Sequence, residues 1–287
     1  MKRQDNSPER NPTMSLIKRS ICTLCLLIIA LSFTFCLTGC DSEETKQAKE
    51  EFQTEVDRIE ANYDELTTEI NSAQELITTD EMPLDENIKP ALENTIADAK
   101  TVELKTPLMP NNLDEIHTAT ENLKSINFND KIQALKEAEK ALTNSIEQRK
   151  LVTAPTEAFV IERLQGVDGV GEIAAETEET DSNGLLGKKG AYYAKIDFIS
   201  PLVDQNEVYG STVVEKGCEG GGSIDVFETE ELAKRRDTYL GGFDGGLFDS
   251  GSHRVLGTLV VRTSDALTAS QQKQLEANVV AALTQLS

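Results

Sequence analysis

Glycine divides this chain in two. Of its 18 glycines none lies between Asp41 and Lys150, and 17 follow Pro155. Glycine supplies left-handed turns and close backbone approaches, so a chain of that length without it is restricted to long regular elements. The same stretch holds only three aromatics, Phe52, Tyr63 and Phe128, whereas nine follow Pro155. The composition predicts an α+β chain, with a helical N-terminal segment followed by a mixed globular region of roughly 130 residues, long enough to bury its own core.

The helical segment opens on a seam. Phe52, Val56, Ile59, Tyr63, Leu66, Ile70, Ala73 and Ile77 alternate steps of four and three, with charged or polar residues between. That is a heptad stripe, and it must be covered by a partner surface. Pro83 and Pro90 end the first helix and begin a second, which carries Ile88, Leu92, Ile96 and Ala99. After Pro107, Pro110 and Asn111-Asn112, a third helix carries Leu113, Ile116, Thr120 and Leu123, and a fourth Ile132, Leu135, Ala138, Leu142 and Ile146. The expectation for residues 46–152 is an antiparallel bundle folded on itself, with an intermolecular coiled coil and self-association as the alternative.

Residues 155–287 read as an α+β sandwich with a mainly antiparallel sheet and its helices on one face. Thr156 caps a short helix bearing Phe159, Val160, Ile161 and Leu164. Strands are expected at Glu172–Glu178, Ala191–Ile199, Gly210–Val214, Ser223–Phe227 and Arg254–Arg262, the last as the central strand. Thr229 caps a helix over Glu230–Leu240, and Thr268 with Gln271 forms a capping box for a terminal helix bearing Leu275, Val279, Ala282 and Leu286.

Ahead of both regions stand Lys18-Arg19, an apolar run from Ile21 to Phe35, and Leu37-Thr38-Gly39-Cys40. The order of basic, apolar and small-residue segments is that of a signal peptide, and the run is too short for a spanning helix. The last four residues resemble a bacterial lipobox. The resemblance implies cleavage before Cys40, a diacylglyceryl (palmitate-bearing) anchor on its thiol and a location on the extracytoplasmic face of the cell membrane. The segments expected are residues 1–39 as signal peptide, with translation starting at Met14, residues 40–45 as lipidated tether, and a helical spacer behind them. Cys22, Cys25 and Cys36 would be discarded, leaving only Cys40 and Cys218, which form no internal disulfide framework.

Charge and residue supply narrow the chemistry. The net charge is −22, and removing residues 1–39 leaves 23 basic against 48 acidic side chains, or −25. Such a surface repels nucleic acid, and Lys234-Arg235-Arg236 is the only basic triplet beyond Cys40. With two histidines, His117 and His253, in different regions, no His-based relay or multi-His zinc site is expected. Gly217-Cys218-Glu219-Gly220-Gly221-Gly222 lacks the following Lys-Ser/Thr and helix of a P-loop, and reads as a turn into a strand. Lys216 is the only basic neighbour that could activate Cys218. Aligning Glu179, Asp181, Asn183 and Gly184 on an EF-hand loop puts Gly190 where the bidentate Glu belongs, so the motif fails. No metal and no cofactor is expected.

Two stretches carry a further resemblance: Pro155–Leu164 leading through Ala174–Glu179 to Asp181–Tyr193, and Ile224–Leu240. Over Pro155–Ser287 they resemble a recurrent C-terminal domain of surface lipoproteins from Gram-positive anaerobes and actinobacteria, which implies no activity and no functional residue. The sequence thus points to a non-catalytic binding role at the cell surface, with a cell-envelope protein or glycan as ligand. The alternative is an envelope hydrolase or thiol-dependent enzyme using Cys218 and His253. A transporter's solute-binding protein is disfavoured, because repeated βα lobes around a cleft are missing. Replacing Cys40 by alanine is expected to abolish lipid labelling and membrane retention, as read by fractionation; unchanged labelling would refute the anchor.

Overall fold

The computed structural model describes residues 42–245 and 251–286. The lipobox and signal segment lie outside them, as do residues 246–250 of the expected loop between Asp244 and Gly251. Among the described residues no helix is long and apolar enough to cross a membrane.

Four helices come first: α1 Glu43–Ile77, α2 Ile88–Ala99, α3 Leu113–Lys124 and α4 Asn129–Leu151. The heptad stripe of α1 is covered within the chain, because α1 packs against α2, α3 and α4 and all four share one apolar cluster containing Phe52, Leu66, Leu92, Ile116 and Leu135. Glycine-free helix surfaces and a periodic stripe suffice for this packing, and Tyr63 meets Phe128 edge to face at 5.7 Å between ring centroids.

The remainder is a mixed structure: α5 Glu157–Leu164, β1 Ile173–Ala175, β2 Ala194–Ile199, α6 Val213–Lys216, a 3₁₀ turn Gly217–Gly220, β3 Gly221–Val226, α7 Glu230–Gly241, β4 His253–Leu256, β5 Leu259–Thr263 and α8 Ala269–Leu283. The five strands form one antiparallel sheet in the order β1-β2-β3-β5-β4. The expected caps are in place: Thr156, Thr229 and Thr268 each accept from a backbone N–H, and Gln271 completes the capping box of α8.

Several expectations need correction. The segment Arg254–Arg262 is a hairpin rather than a single strand. Gly257 turns it at φ +59°, and a Cβ there would stand 2.4 Å from the Val152 carbonyl oxygen. The central strand is β3, whose glycines admit its neighbours: a Cβ on Gly222 would meet the Phe198 ring at 2.2 Å. Gly210–Val214 is a loop to Thr212 and then the start of α6, because Thr212 and Glu215 form a capping box that favours a helical turn over an extended strand. Glu172–Glu178 supplies a strand of only three residues, β1. Helices also lie on both faces of the sheet. On one face α5 and α8 pack on Ile196, Phe198, Ile224 and Val261; on the other, Ala233 and Leu240 of α7 pack on Val260 and Phe227.

The helical segment meets the sheet without slack. Val152 belongs to the sheet's apolar core, its carbonyl accepts from Thr258 N at 2.9 Å, and Ala154 N donates to Thr258 Oγ1 at 2.7 Å. An ion pair between Arg149 and Glu230 joins α4 to α7.

Candidate functional site

Strand alternation places apolar residues on the α5/α8 face, and mostly polar ones, with Val260 under α7, opposite. On the second face β2 presents Lys195 and Asp197, β3 presents Ser223 and Asp225, and β5 presents Arg262. The register sets Lys195 across from Asp225, Asp197 across from Ser223, and Ser223 across from Arg262. A charged sheet face is ordinarily solvated. Here it is buried under α6, the 3₁₀ turn, α7 and the loops from β1 to β2: the Lys195 side chain is 5% exposed, Glu176 1% and Asp197 0%.

Burial is tolerated because the charges are paired. Lys195 Nζ donates to Glu176 Oε1 at 2.8 Å and to Asp197 Oδ2 at 2.9 Å. Arg236, reaching in from α7, donates through Nε to Asp225 Oδ2 at 3.1 Å. Burial alone would depress the Lys195 ammonium, but the carboxylates of Asp197 and Glu176 outweigh it and hold that group above its ordinary value. Asp197 is pushed up from 3.8 to about 7, chiefly by burial, with Lys195 opposing and Glu176 reinforcing the rise. Its Oδ1 is buried with no hydrogen-bond partner among the described residues.

Over this face lies a cavity of about 1000 Å³. Lys195, Glu176 and Arg262 form its floor; Asn183, Ser182 and Thr180 line one wall, and Tyr209, Lys216, Cys218 and Glu219 the other. The second wall is anchored from below. Gln205 Nε2 donates to the Gly220 carbonyl at 2.7 Å, Lys216 Nζ donates to Gln205 Oε1 at 3.1 Å, and Ser264 Oγ donates to the Glu219 carbonyl at 2.7 Å. The first wall hangs on Asp181, whose carboxylate accepts from the N–H groups of Asn183, Leu185 and Leu186 and from the Tyr192 hydroxyl. Burial raises the Asp181 carboxyl, but these bonds outweigh it and the net shift is downward. The residues considered for a calcium loop are therefore spent on holding their own turn.

The two thiol-enzyme candidates are not brought together. Cys218 stands in the cavity wall, partly exposed as a residue, while burial around its sulfur pushes the thiol up and the nearby Arg262 charge only partly offsets that. His253 lines a different cavity with Asp244 and Asp265. Its Nδ1 lies 2.7 Å from Asp237 Oδ1 and its Nε2 3.2 Å from Asp244 Oδ1, so neither nitrogen meets Cys218. His117 is exposed on α3, beside the apolar stripe. Among the described residues no group of three or more His, Cys, Asp or Glu is arranged to hold a metal ion.

Sequence reading missed Lys195, Asp197, Asp225, Glu176 and Arg262. The signal was a polar or charged residue at every second position in strands whose alternate residues are apolar, as in Lys-Ile-Asp-Phe and Ser-Ile-Asp-Val. Alternation reads as a solvent face unless the covering segment is known.

The raised Asp197 carboxyl has a consequence for stability. Its folded-state pKa lies above the unfolded one, so its contribution is fully present below about pH 4 and is lost as pH rises through about 7. Urea unfolding across this range is expected to show a component that falls with pH and is flattened in Asp197→Asn; an identical slope in the variant would refute the assignment.

No protein-family model matches this chain, and no curated protein or solved structure matches it.

Proposed function

We propose that this is a lipid-anchored protein of the extracytoplasmic membrane face, in which the helical segment acts as a spacer and the sheet region binds a hydroxyl-rich cell-surface ligand, a glycan, without turning it over. The anchor rests on the signal-peptide anatomy and the lipobox ending at Cys40. The binding role rests on one observation: a large cavity whose floor holds buried charges of both signs, Lys195 paired with Glu176 and Asp197, and Arg262 in the same floor. Paired charges do not select a net charge on the ligand. They present donors and acceptors side by side, which suits hydroxyl groups that both donate and accept. Tyr209 at the rim, 89% exposed, offers an apolar ring face to a sugar. Ligand pockets commonly join such a face to a few fixed polar groups.

Thiol-dependent chemistry is the second reading, favoured only by the position of Cys218 in the wall. Its raised thiol pKa works against it, since the thiolate is the nucleophile.

Tyr209→Ala removes an exposed ring and no core contact, so the fold should be unchanged. Retention of the purified protein on immobilised envelope glycans is expected to drop by roughly tenfold on loss of one stacking ring; equal retention of the variant, or none by the wild type, would overturn the reading.

A further inference from the structure

A second concavity of about 570 Å³ lies between α7 and the loop that precedes β2. Its chemistry is the reverse of the surface around it. Lys188 and Lys189 from the loop face Arg235 and Arg236 from α7, and no carboxylate is among its lining residues. In a chain with 50 acidic and 28 basic side chains, composition alone does not produce such a groove. The sequence separates the two basic pairs by 45 residues, and the fold joins them.

The four cations are not equally committed. Arg236 is neutralised by Asp225 and lies 5.5 Å from the Tyr239 ring centroid, so its role is to hold that ring in place. Arg235 has no carboxylate partner among the described residues; it bonds the backbone oxygen of Gly190, which fixes the guanidinium at the groove edge with other N–H donors to spare. Lys189 is exposed and likewise has no carboxylate partner among the described residues. Lys188 is 4.0 Å from Glu178 in an exposed pair, an interaction that is weak in water. Between these charges the wall is apolar, made by Leu232, Phe227 and Tyr239, the last 58% exposed.

We propose that this groove is a second binding site, distinct from the cavity over the charged sheet face, and that it takes a small organic anion. The phosphate or carboxylate group of that anion meets Lys188, Lys189 and Arg235, while a flat apolar body lies against Tyr239 and Leu232. The pinned guanidinium supplies a preorganised donor, which lowers the cost of ordering on binding. The overall acidity of the protein repels anions at long range, so recognition rests on these short-range charge-assisted bonds and on the ring.

Calorimetric titration of the full chain with phenyl phosphate, inorganic phosphate and benzyl alcohol separates the two contributions. Phenyl phosphate is expected to bind more tightly than either partial mimic, and more weakly as salt is added. Lys188→Gln combined with Lys189→Gln alters only exposed side chains, and should weaken phenyl phosphate by roughly tenfold. Tyr239→Ala should remove the advantage of phenyl phosphate over inorganic phosphate, with circular dichroism showing that both variants remain folded. Absence of phenyl phosphate binding, equal binding of benzyl alcohol, or indifference to the lysine replacements would overturn the proposal. So would binding to phosphatidylglycerol vesicles without binding of phenyl phosphate, which would assign the groove to a membrane surface instead.

Discussion

Lys195 is the interaction on which the rest of the sheet region depends. Its ammonium is shared between Glu176, just beyond β1, and Asp197 on its own strand, and it lies across the ladder from Asp225. Burying charges is costly, and a paired set rarely contributes more than a well-packed apolar one would; removing a single partner, however, strands a charge at a cost of about 3–5 kcal/mol. The second face of this sheet therefore works as a unit. It is kept dry enough to pair its charges by the segments above it, and those segments are held down by the same polar face. A buried ionic network that forms a cavity floor is a poor way to gain stability and a good way to fix donors and acceptors for a ligand.

The glycine distribution explains how the cover fits. Gly217–Gly220 turns tightly, and Gly221 and Gly222 then enter the central strand, where a Cβ at Gly221 would stand 2.3 Å from Ser200 N and one at Gly222 would meet the Phe198 ring. The backbone can thus pass close over β2 and bring Cys218 and Glu219 to the cavity wall. The helical segment needs no such approach and has no glycine. Two concavities of opposite character result, sharing Asn183 at their boundary: one lined by charges of both signs, with Lys195 paired to Glu176, the other cationic in an acidic molecule.

Much of the fold was legible because local physics and tertiary packing agree. The stripe of α1, the proline breaks and the threonine caps each have a short-range cause, and the structure places them as expected. The hairpin within Arg254–Arg262 was hidden because Leu256, Leu259 and Val261 look like one apolar run, and the turn at Gly257 is demanded by the distant Val152 carbonyl. The charged face was hidden for the converse reason. Its alternation is local, but its burial comes from segments far along the chain. The basic groove escaped notice because neither Lys188-Lys189 nor Lys234-Arg235-Arg236 stands out alone in so acidic a sequence. Cys218 was singled out as a thiol in a glycine turn, and the structure adds the buried setting that raises its pKa.

Cys218 also provides the most direct test of the central claim, that the charged sheet face is the floor of a ligand site. In the mature chain proposed above, whose Cys40 would carry the lipid, Cys218 is the thiol left to label, and it stands in the cavity wall. Its rate of alkylation can be followed with and without soluble envelope oligosaccharides. The account predicts slow labelling of the native protein, from the raised thiol pKa, and further protection when oligosaccharide is present. Labelling as fast as that of an unfolded chain, with no response to any oligosaccharide, would contradict it.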